Sequence, residues 1–436
     1  MTVPVLPRLR ARTLEAPVVP DLLDLLPPDV DRGTVVSWVR EGSGLIGWGR
    51  AAASMSAGPD RFEVASRWWQ DVVAGAEVVD EVGLPGTGLV AFGSFAFSSD
   101  SADGGGLVVP RVVAGQRDGR AWVTSIEATG TPTEWLPATE QVRAGTDPAD
   151  GIRLVDGAVP ASRWPGVIAE AIERIEAGEV DKVVLARDVV ATGAHIDTVA
   201  LLRRLTARYS ATWTFAVDGL VGATPEMLVR LQDGRARSRV LAGTVRRDQT
   251  PAPSVTEPHP ELEETHASDP RLHLVSSAKD LEEHAFAVRS VAEALAPHCV
   301  SLAVPAEPFV LELPDVYHLA TDLSGEVADD ATSLDLAAAL HPSAAVCGTP
   351  ADAAARLIAE LEGMDRGRYA GPVGWLDATG DGDWGIALRC GQLSADARSM
   401  RLFAGGGIVA ASDPDAELAE TEMKLAAMRH ALGLGS

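Results

Sequence analysis

The stretch from Phe403 to Lys424, with the sequence FAGGGIVAASDPDAELAETEMK, joins an apolar segment of strand type to a helix. Its glycine triplet lets backbone N–H groups approach an anion because no Cβ stands in the way. Asp413 is a typical N-cap and Pro414 a typical first helical residue. The order of residues therefore predicts a strand, an amide-lined glycine turn and a helix.

The predicted helix carries Glu417, Glu420, Thr421 and Lys424 at the spacing i, i+3, i+4 and i+7, which is one face. Two carboxylates beside an amide-lined turn could hold a divalent cation, and the ammonium could bind an acidic ligand. The same spacing is as typical of an exposed helix with salt bridges. The stretch alone leaves both interpretations open.

The chain of 436 residues has a formal net charge of −25, from 37 basic and 62 acidic side chains. This charge makes a nucleic acid or an anionic membrane surface an unfavourable partner. No apolar run is long enough to span a membrane, and the N-terminal segment lacks the apolar core of a signal peptide. Three scattered cysteines suit neither a disulfide framework nor a zinc site, so we expect a cytoplasmic protein.

Two parts can be distinguished along the chain. In residues 1–150, short apolar runs and a helical pattern at 59–82 predict an antiparallel sheet with one helix. A connection rich in Pro, Gly, Asp and Thr at 137–160 leads to the second part, 151–436, which we expect to hold the functional site. Strands and helices alternate there without a βαβ rhythm, which favours an α+β fold. The Pro-, Thr- and Glu-rich segment 248–272 predicts a long loop.

Two candidate residues lie in the C-terminal meander. The pattern at 384–390 predicts one strand with Arg389 near its end, and Tyr369 opens a neighbouring strand. An arginine fork suits a carboxylate, and a phenol can assist it. A surface pair on an edge strand is the alternative.

Upstream, Ser324-Gly325 predicts a turn that ends a strand.

Lys182 and Glu226 are candidates for proton transfer. Lys182 opens an apolar strand, and desolvation of a buried amine can make it a general base. Glu226 lies between two apolar runs, where a carboxyl tends to stay protonated and can act as a general acid. The alternatives are a strand-end lysine that reaches solvent and a glutamate that caps a turn.

Glu283 and His318 complete the candidates. Glu283 lies on a predicted helix, Lys279–Leu295, and could join Glu420 in an oxygen-ligand site for Mg²⁺. An ion pair between Lys279 and Glu283 is the alternative. His318 lies in an apolar strand, where a hydrogen-bonded core histidine is more usual than a catalytic one.

Taken together, these segments resemble the chorismate-utilising enzymes, which include isochorismate, salicylate and anthranilate synthases. The similarity runs in the family's order from about residue 160 to 430. The matching motifs are Lys182-Val-Val-Leu-Ala-Arg, Gly222-Ala-Thr-Pro-Glu226, Leu241-Ala-Gly-Thr244, Lys279-Asp-Leu-Glu-Glu283-His284, His318-Leu, His341-Pro-Ser, Cys347-Gly-Thr-Pro, Tyr369-Ala-Gly-Pro-Val-Gly, Ala387-Leu-Arg389-Cys, Ala404-Gly-Gly-Gly-Ile-Val and Glu417 to Lys424.

The resemblance implies a single large α+β domain in which two antiparallel sheets pack together with helices outside. It also implies Mg²⁺ as cofactor and chorismate as substrate. By resemblance, Glu283 and Glu420 bind the Mg²⁺, with Glu417 behind them through water. The other implied roles are substrate contacts: Lys424, Gly243 and Thr244 at the ring carboxylate, Tyr369, Arg389, Gly405, Gly406 and Gly407 at the enolpyruvyl carboxylate, and His318 beside the ring.

Two positions distinguish members of this family. Lys182 stands where the amino-transferring members have glutamine, so the resemblance implies activation of water and no glutaminase subunit. Ala242 stands where aminodeoxychorismate synthases have a nucleophilic lysine. We therefore expect an isochorismate synthase, monomeric or homodimeric, of menaquinone or catecholate siderophore synthesis. A salicylate synthase and a non-catalytic chorismate-binding homologue are the alternatives.

Overall fold

The computed structural model describes residues 8–128, 151–246, 270–312 and 316–434. Within these ranges the side chains of Thr244, Arg246, Pro270, His273, Ala278, Lys279 and Glu283 are not described. The loop predicted at 248–272 and the connection at 137–160 thus lie largely outside the described residues.

The described residues form eight α-helices and 23 β-strands, apart from short 3₁₀ turns. The helices are α1 (Arg61–Ala74), α2 (Trp164–Glu176), α3 (Thr198–Arg208), α4 (Pro270–Ser276), α5 (Ala278–Leu295), α6 (Ser333–Leu340), α7 (Ala351–Leu361) and α8 (Pro414–Ala431). The strands are β1 (Leu9–Ala16), β2 (Val36–Arg40), β3 (Ser43–Trp48), β4 (Ala52–Ser56), β5 (Glu77–Asp80), β6 (Val90–Phe95), β7 (Gly105–Val109), β8 (Val112–Arg117), β9 (Arg120–Ala128), β10 (Arg153–Asp156), β11 (Lys182–Thr192), β12 (Trp213–Val217), β13 (Leu220–Thr224), β14 (Met227–Gln232), β15 (Arg235–Arg246), β16 (Cys299–Ala303), β17 (Phe309–Glu312), β18 (Val316–Val327), β19 (Gly348–Thr349), β20 (Pro372–Asp377), β21 (Gly382–Ile386), β22 (Cys390–Leu393) and β23 (Ser399–Ile408).

These strands form a 13-stranded sheet, called the large sheet here, and a 10-stranded sheet, the small sheet. Among the described strand pairs only β1–β5 is parallel. Each sheet contains a block of strands from each part of the chain, and the two blocks meet where β2 lies beside β12 in the large sheet and β6 beside β20 in the small one. The prediction of one α+β domain with two antiparallel sheets is thereby confirmed.

Apolar side chains of the two sheets meet in a common core that contains Trp38, Phe92, Phe215 and Trp384. A second cluster packs α3 and α8 against the other face of the large sheet. This places α8 beside β23, where the candidate site lies. Every helix that the structure describes is too short or too polar to cross a membrane.

The C-terminal helix forms as predicted, because Asp413 accepts the N–H of Ala416 at 2.8 Å and Pro414 begins α8. The glycine triplet before it is not a turn: it lies inside β23 and pairs with β11. The helical pattern at 59–82 was extended too far, since α1 ends before Gly75 and β5 then pairs with β1.

Two further strand predictions were wrong. Ser324-Gly325 is not a turn, and β18 continues through it to Val327. Gly325 is needed there because a Cβ would lie 2.7 Å from the Cys299 sulfur on the adjacent strand. The predicted strand 384–390 is two strands, since the chain leaves the small sheet after Ile386 and enters the large sheet at Cys390.

Candidate active site

A cavity of about 180 Å³ lies where β23, α8 and the crossings between the two sheets meet. It gathers most of the residues that the sequence singled out. The predicted residues along its wall are Glu226, Gly243, His318, Tyr369, Arg389, Gly405, Gly406, Gly407, Glu417, Glu420 and Lys424.

The cavity exists because one edge of β23 is left open. On one side β23 pairs with β11 over its whole length, but on the other β22 pairs only with Met400–Leu402. Beyond Leu402 no described strand covers that edge. The backbone from Phe403 to Gly407 therefore forms a wall of the cavity.

Two glycine amides face this open edge. On β11, the N–H groups of Val184 and Ala186 donate to acceptors on the side away from β23. Their partners across the ladder are Gly407 and Gly405. In an antiparallel ladder, a residue whose N–H points away from the neighbouring strand forms a non-hydrogen-bonded pair with the residue opposite. The N–H groups of Gly405 and Gly407 therefore also point away from β11. The Lys424 ammonium donates to the Gly405 carbonyl at 2.8 Å from the same side.

Lys182 and Glu226 are both buried, with exposed fractions of 4% and 6%. Strand residues two apart share a face, so Lys182, the first residue of β11, lies on the same face as Val184. Val184 lines the cavity. Burial raises the pKa of Glu226 to about 8, against the charges of Lys182 and Lys424, which lower it. Glu226 is therefore mostly protonated at neutral pH, and Lys182 is not a surface lysine.

Arg389 and Tyr369 lie in connecting segments and not in strands. Arg389 lies in the connection from β21 to β22, with φ of 47°, and Tyr369 lies in the turn before β20. The Tyr369 ring stacks on Phe403 with 5.0 Å between centroids. Burial raises the pKa of the Tyr369 phenol, so it stays a neutral donor. Both residues line the cavity and are not a surface pair.

His318 and Gly243 meet across the ladder of β15 and β18. His318 is opposite Thr244, and the register shifts between Ala242 and Thr244, so that Gly243 bulges with φ of 81°. Burial, with the charges of Arg389 and Lys424, lowers the pKa of His318 to about 3. His318 is therefore a neutral ring in the cavity wall. Thr244 is placed by its backbone alone.

The polar face of α8 is turned towards β23, so α8 is not the fully solvated helix of the alternative interpretation. Glu417 is 7% exposed and accepts the Ser412 hydroxyl at 2.8 Å. A Cβ on Gly406 would lie 2.9 Å from Glu417 Oε2 and 3.6 Å from Glu420 Oε1, so both carboxylates flank the glycine strand. Lys424 pairs with Glu420 at 2.5 Å.

The third predicted metal ligand, Glu283, is placed only by its backbone. It lies on α5 one turn after Asp280, whose side chain lines the cavity. Among the described side chains no three His, Cys, Asp or Glu residues form a metal-binding group. The donors of α8 suit Mg²⁺, which takes one or two protein carboxylates and keeps several waters.

Sequence reasoning missed three cavity residues with polar or aromatic side chains. Asp280 could have been found from its helical spacing to Glu283. Arg366 could have been found from its i, i+4 spacing to Glu362, with which it forms a buried ion pair. The contact of Phe403 with Tyr369 had no local signal, since it depends on how β23 and the turn before β20 meet.

Known proteins are similar to this one along most of the chain. The family described as chorismate binding enzyme matches residues 35–433. MenF of Mycobacterium tuberculosis H37Rv is 41% identical over 304 residues, which cover 66% of this chain and 78% of that protein. The isochorismate synthase DhbC of Bacillus subtilis is 40% identical over 280 residues, 61% of this chain and 67% of its own length.

A solved structure of DhbC from Bacillus anthracis has a TM-score of 0.71 at 28% identity, covering 93% of this chain and 98% of that one. The agreement thus extends through both sheets and beyond the motifs of the site. On the family match, the relatives and the shared fold, this chain belongs to the chorismate-binding enzyme family.

Proposed function

We propose that this protein is an isochorismate synthase, which adds water at C2 of chorismate and expels the C4 hydroxyl. The observation that carries the proposal is the pair of buried side chains Lys182 and Glu226, which interact electrostatically beside the cavity. A buried amine and a protonated carboxyl supply the base and the acid that this exchange needs. A relative at 40% identity bears the name isochorismate synthase.

The cavity offers separate groups for the two carboxylates of the substrate. The N–H groups of Gly405 and Gly407, Arg389 and the Tyr369 hydroxyl would bind the enolpyruvyl carboxylate. Lys424 and the backbone at Gly243 would lie near the ring carboxylate. His318, as a neutral ring, would pack beside the substrate ring. Two anchored ends would fix the ring between acid and base.

In the proposed step, Lys182 takes a proton from water, and the resulting oxygen forms a bond to C2. The ring double bonds shift, the C4–O bond breaks, and Glu226 donates its proton to the leaving hydroxyl, which departs as water. The bonds made and broken are of the same kind, so the step should be reversible. Afterwards Lys182 is protonated and Glu226 is a carboxylate, so the pair must exchange a proton before the next turnover.

Mg²⁺ fits the donor set at this end of the cavity. Glu420 and Glu283 would hold the ion, with Glu417 behind them through water, because hard carboxylate oxygens are the ligands Mg²⁺ prefers. When bound, Mg²⁺ would supply positive charge to the ring carboxylate of the substrate. Glu420 pairs with Lys424, so the ion would lie at the end of the cavity assigned to the ring carboxylate.

The lining of the cavity also supports a division of the chain into two parts. Every described residue along the cavity lies between Val184 and Lys424, which supports residues 151–436 as the catalytic part and residues 1–150 as a sheet-forming part.

Lys182 in place of glutamine supports turnover without a glutaminase subunit. We further propose a cytoplasmic monomer or homodimer in menaquinone or catecholate siderophore synthesis, with free thiols such as Cys347 and Cys390 suited to a reducing compartment.

The test is to incubate the purified protein with chorismate and Mg²⁺ and to separate the products by chromatography. Isochorismate as the only product supports the proposal. Fluorescent salicylate together with pyruvate would identify a salicylate synthase. Unchanged chorismate, with or without ammonium ions, would identify a non-catalytic binding protein.

A further inference from the structure

The strand that carries Lys182 has a gap on one side. Along the edge of β11 away from β23, β19 pairs with Lys182 and Val183, and β10 pairs with Val189–Thr192. Between them, residues 184–188 have no strand partner on that side among the described residues. Backbone groups in such a gap must find other partners, because buried unpaired ones destabilise the fold.

Two side chains occupy this gap. Glu362 Oε1 accepts the N–H of Ala186 at 2.7 Å, and Arg366 Nη2 donates to the Val184 carbonyl at 2.6 Å. Glu362 and Arg366 are themselves joined by an ion pair at 2.5 Å. One acceptor and one donor thus replace part of a missing neighbouring strand.

Arg366 also ties β11 to the segment just before β19, which runs beside β11. Its Nη1 donates to the Val346 carbonyl at 3.0 Å, and its guanidinium lies 4.2 Å from the ring centroid of Phe97. Val184, Val346 and Arg366 all line the reaction cavity. A single planar guanidinium therefore bridges two adjacent segments that line the cavity.

The attraction between the two charges does not by itself account for this pair. The side chains of Glu362 and Arg366 are 0% and 3% exposed. A buried ion pair is often no more stabilising than well-packed apolar residues of the same volume, because both charges lose their hydration. An added role in holding cavity geometry would explain why charges occupy this position.

We propose that Arg366 and Glu362 are positioning residues that hold β11 so that the Lys182 amine stays aligned with the substrate. This inference rests on the proposed function, because it assigns the pair a task in the hydration step. Lys182 is two residues from Val184 on the same strand face, so a shift of β11 moves both. A displacement of about 1 Å at a reacting group can lower a rate about 100-fold.

Arg366 also borders a second cavity, and this guides the choice of variants. It also lines an outer groove of about 960 Å³, together with Phe97, His341 and Ile358. Truncation to alanine would open a path between groove and cavity, so Arg366→Lys is the better first variant. A lysine keeps the charge and the stem, but its single ammonium cannot reach the Val184 carbonyl, the Val346 carbonyl and Glu362 together.

The experiment compares wild type, Arg366→Lys, Glu362→Gln and the control Arg401→Lys in the full chain with Mg²⁺. Arg401 lies on β23, pairs with Asp188 of β11 and donates to the Asp365 carbonyl, but it does not line the cavity. Its variant therefore reports general loosening around β11. Measured quantities are kcat and KM for chorismate, the pH profile, and the melting temperature.

We expect Arg366→Lys to lower kcat about 30-fold or more with KM changed less than about threefold. Glu362→Gln should lose less, because its amide oxygen can still accept the Ala186 N–H, and Arg401→Lys should keep kcat at a similar melting temperature. Arg366→Ala with millimolar guanidinium should regain part of its kcat, whereas Lys182→Ala should not. This rescue also decides the matter if Arg366→Lys fails to fold.

One result would overturn this inference and leave the proposed function standing. In that result Arg366→Lys and Arg401→Lys lose equal kcat at equal melting temperatures, and guanidinium does not restore activity to Arg366→Ala. A wild-type protein that forms no isochorismate would overturn the proposed function and this inference with it. The two failures are therefore distinguishable within one set of measurements.

Discussion

Glu226 and Arg389 lie side by side on the two connections where neighbouring strands cross between the sheets. The Ile386 N–H donates to the Glu226 carbonyl and the Ala223 N–H to the Arg389 carbonyl, each at 3.2 Å. Since β13 pairs with β22 and β14 with β21, both crossings occur at the same level of the sandwich. The fold thereby holds the proposed proton donor and the proposed carboxylate-binding cation at one cavity through these backbone contacts.

The first prediction concerns pH. Burial raises the pKa of Glu226 to about 8, so the protonated, donating form predominates below that pH and is lost as pH rises through it. We expect kcat/KM for isochorismate formation to fall about tenfold per pH unit above about pH 8, because this ratio reports the free enzyme. Glu226→Gln should abolish turnover while chorismate still binds by calorimetry. A flat alkaline limb in the wild type would contradict Glu226 as the acid.

Replacement of the proposed base gives the second prediction. Lys182→Ala should lower kcat by about 10² to 10⁴-fold, the usual contribution of a general base, and leave the chorismate dissociation constant nearly unchanged. Asp181→Asn, at the exposed neighbouring residue, is the matched control and should keep full activity. Loss of binding in Lys182→Ala would show that the lysine holds substrate and does not activate water.

The third prediction tests the metal. Glu420→Ala should raise the Mg²⁺ concentration for half-maximal activity about tenfold or more, or eliminate activity, because one carboxylate ligand is removed. Removal of Mg²⁺ with a chelator should abolish wild-type turnover reversibly. Asp415→Asn, an exposed acid on the same helix, controls for the loss of one negative charge. An unaltered Mg²⁺ titration in Glu420→Ala would exclude this ligand set.

The fourth prediction concerns substrate binding. Tyr369→Phe removes the hydroxyl but keeps the ring that stacks on Phe403, so the protein should fold normally. We expect KM for chorismate to rise about tenfold, as one hydrogen bond to a charged group contributes about 1.5 kcal/mol. Tyr209→Phe, a buried tyrosine outside the cavity, should leave KM unchanged. Equal KM values in both variants would remove Tyr369 from the binding site.

The local part of this site could be predicted from the sequence. The start of α8 at Asp413 and Pro414, and the shared face of Glu417 and Glu420, depend on residues within a few turns of one another. Lys182 was a candidate because apolar residues follow it in the strand. Base and acid were candidate roles for Lys182 and Glu226 from the residues themselves. The family resemblance paired the two, because their spacing carries no information on their proximity.

The parts that were wrong depend on contacts distant in sequence. The apolar run at 384–390 has the composition of one strand, and only the tertiary structure shows that it changes sheets before Arg389. Gly325 stands inside a strand because the Cys299 sulfur on the adjacent strand leaves no room for a Cβ there. The open edge that exposes Gly405 and Gly407 results from the short pairing of β22, which no local pattern encodes.

The central claim is that water from solvent replaces the C4 hydroxyl, with Lys182 and Glu226 as base and acid. Its most direct test is turnover of chorismate in H₂¹⁸O with Mg²⁺, stopped early and analysed by mass spectrometry. We predict isochorismate that carries one heavy oxygen, at C2, in every newly formed molecule. Isochorismate without the label would mean that the hydroxyl migrates within the substrate, and would contradict this mechanism.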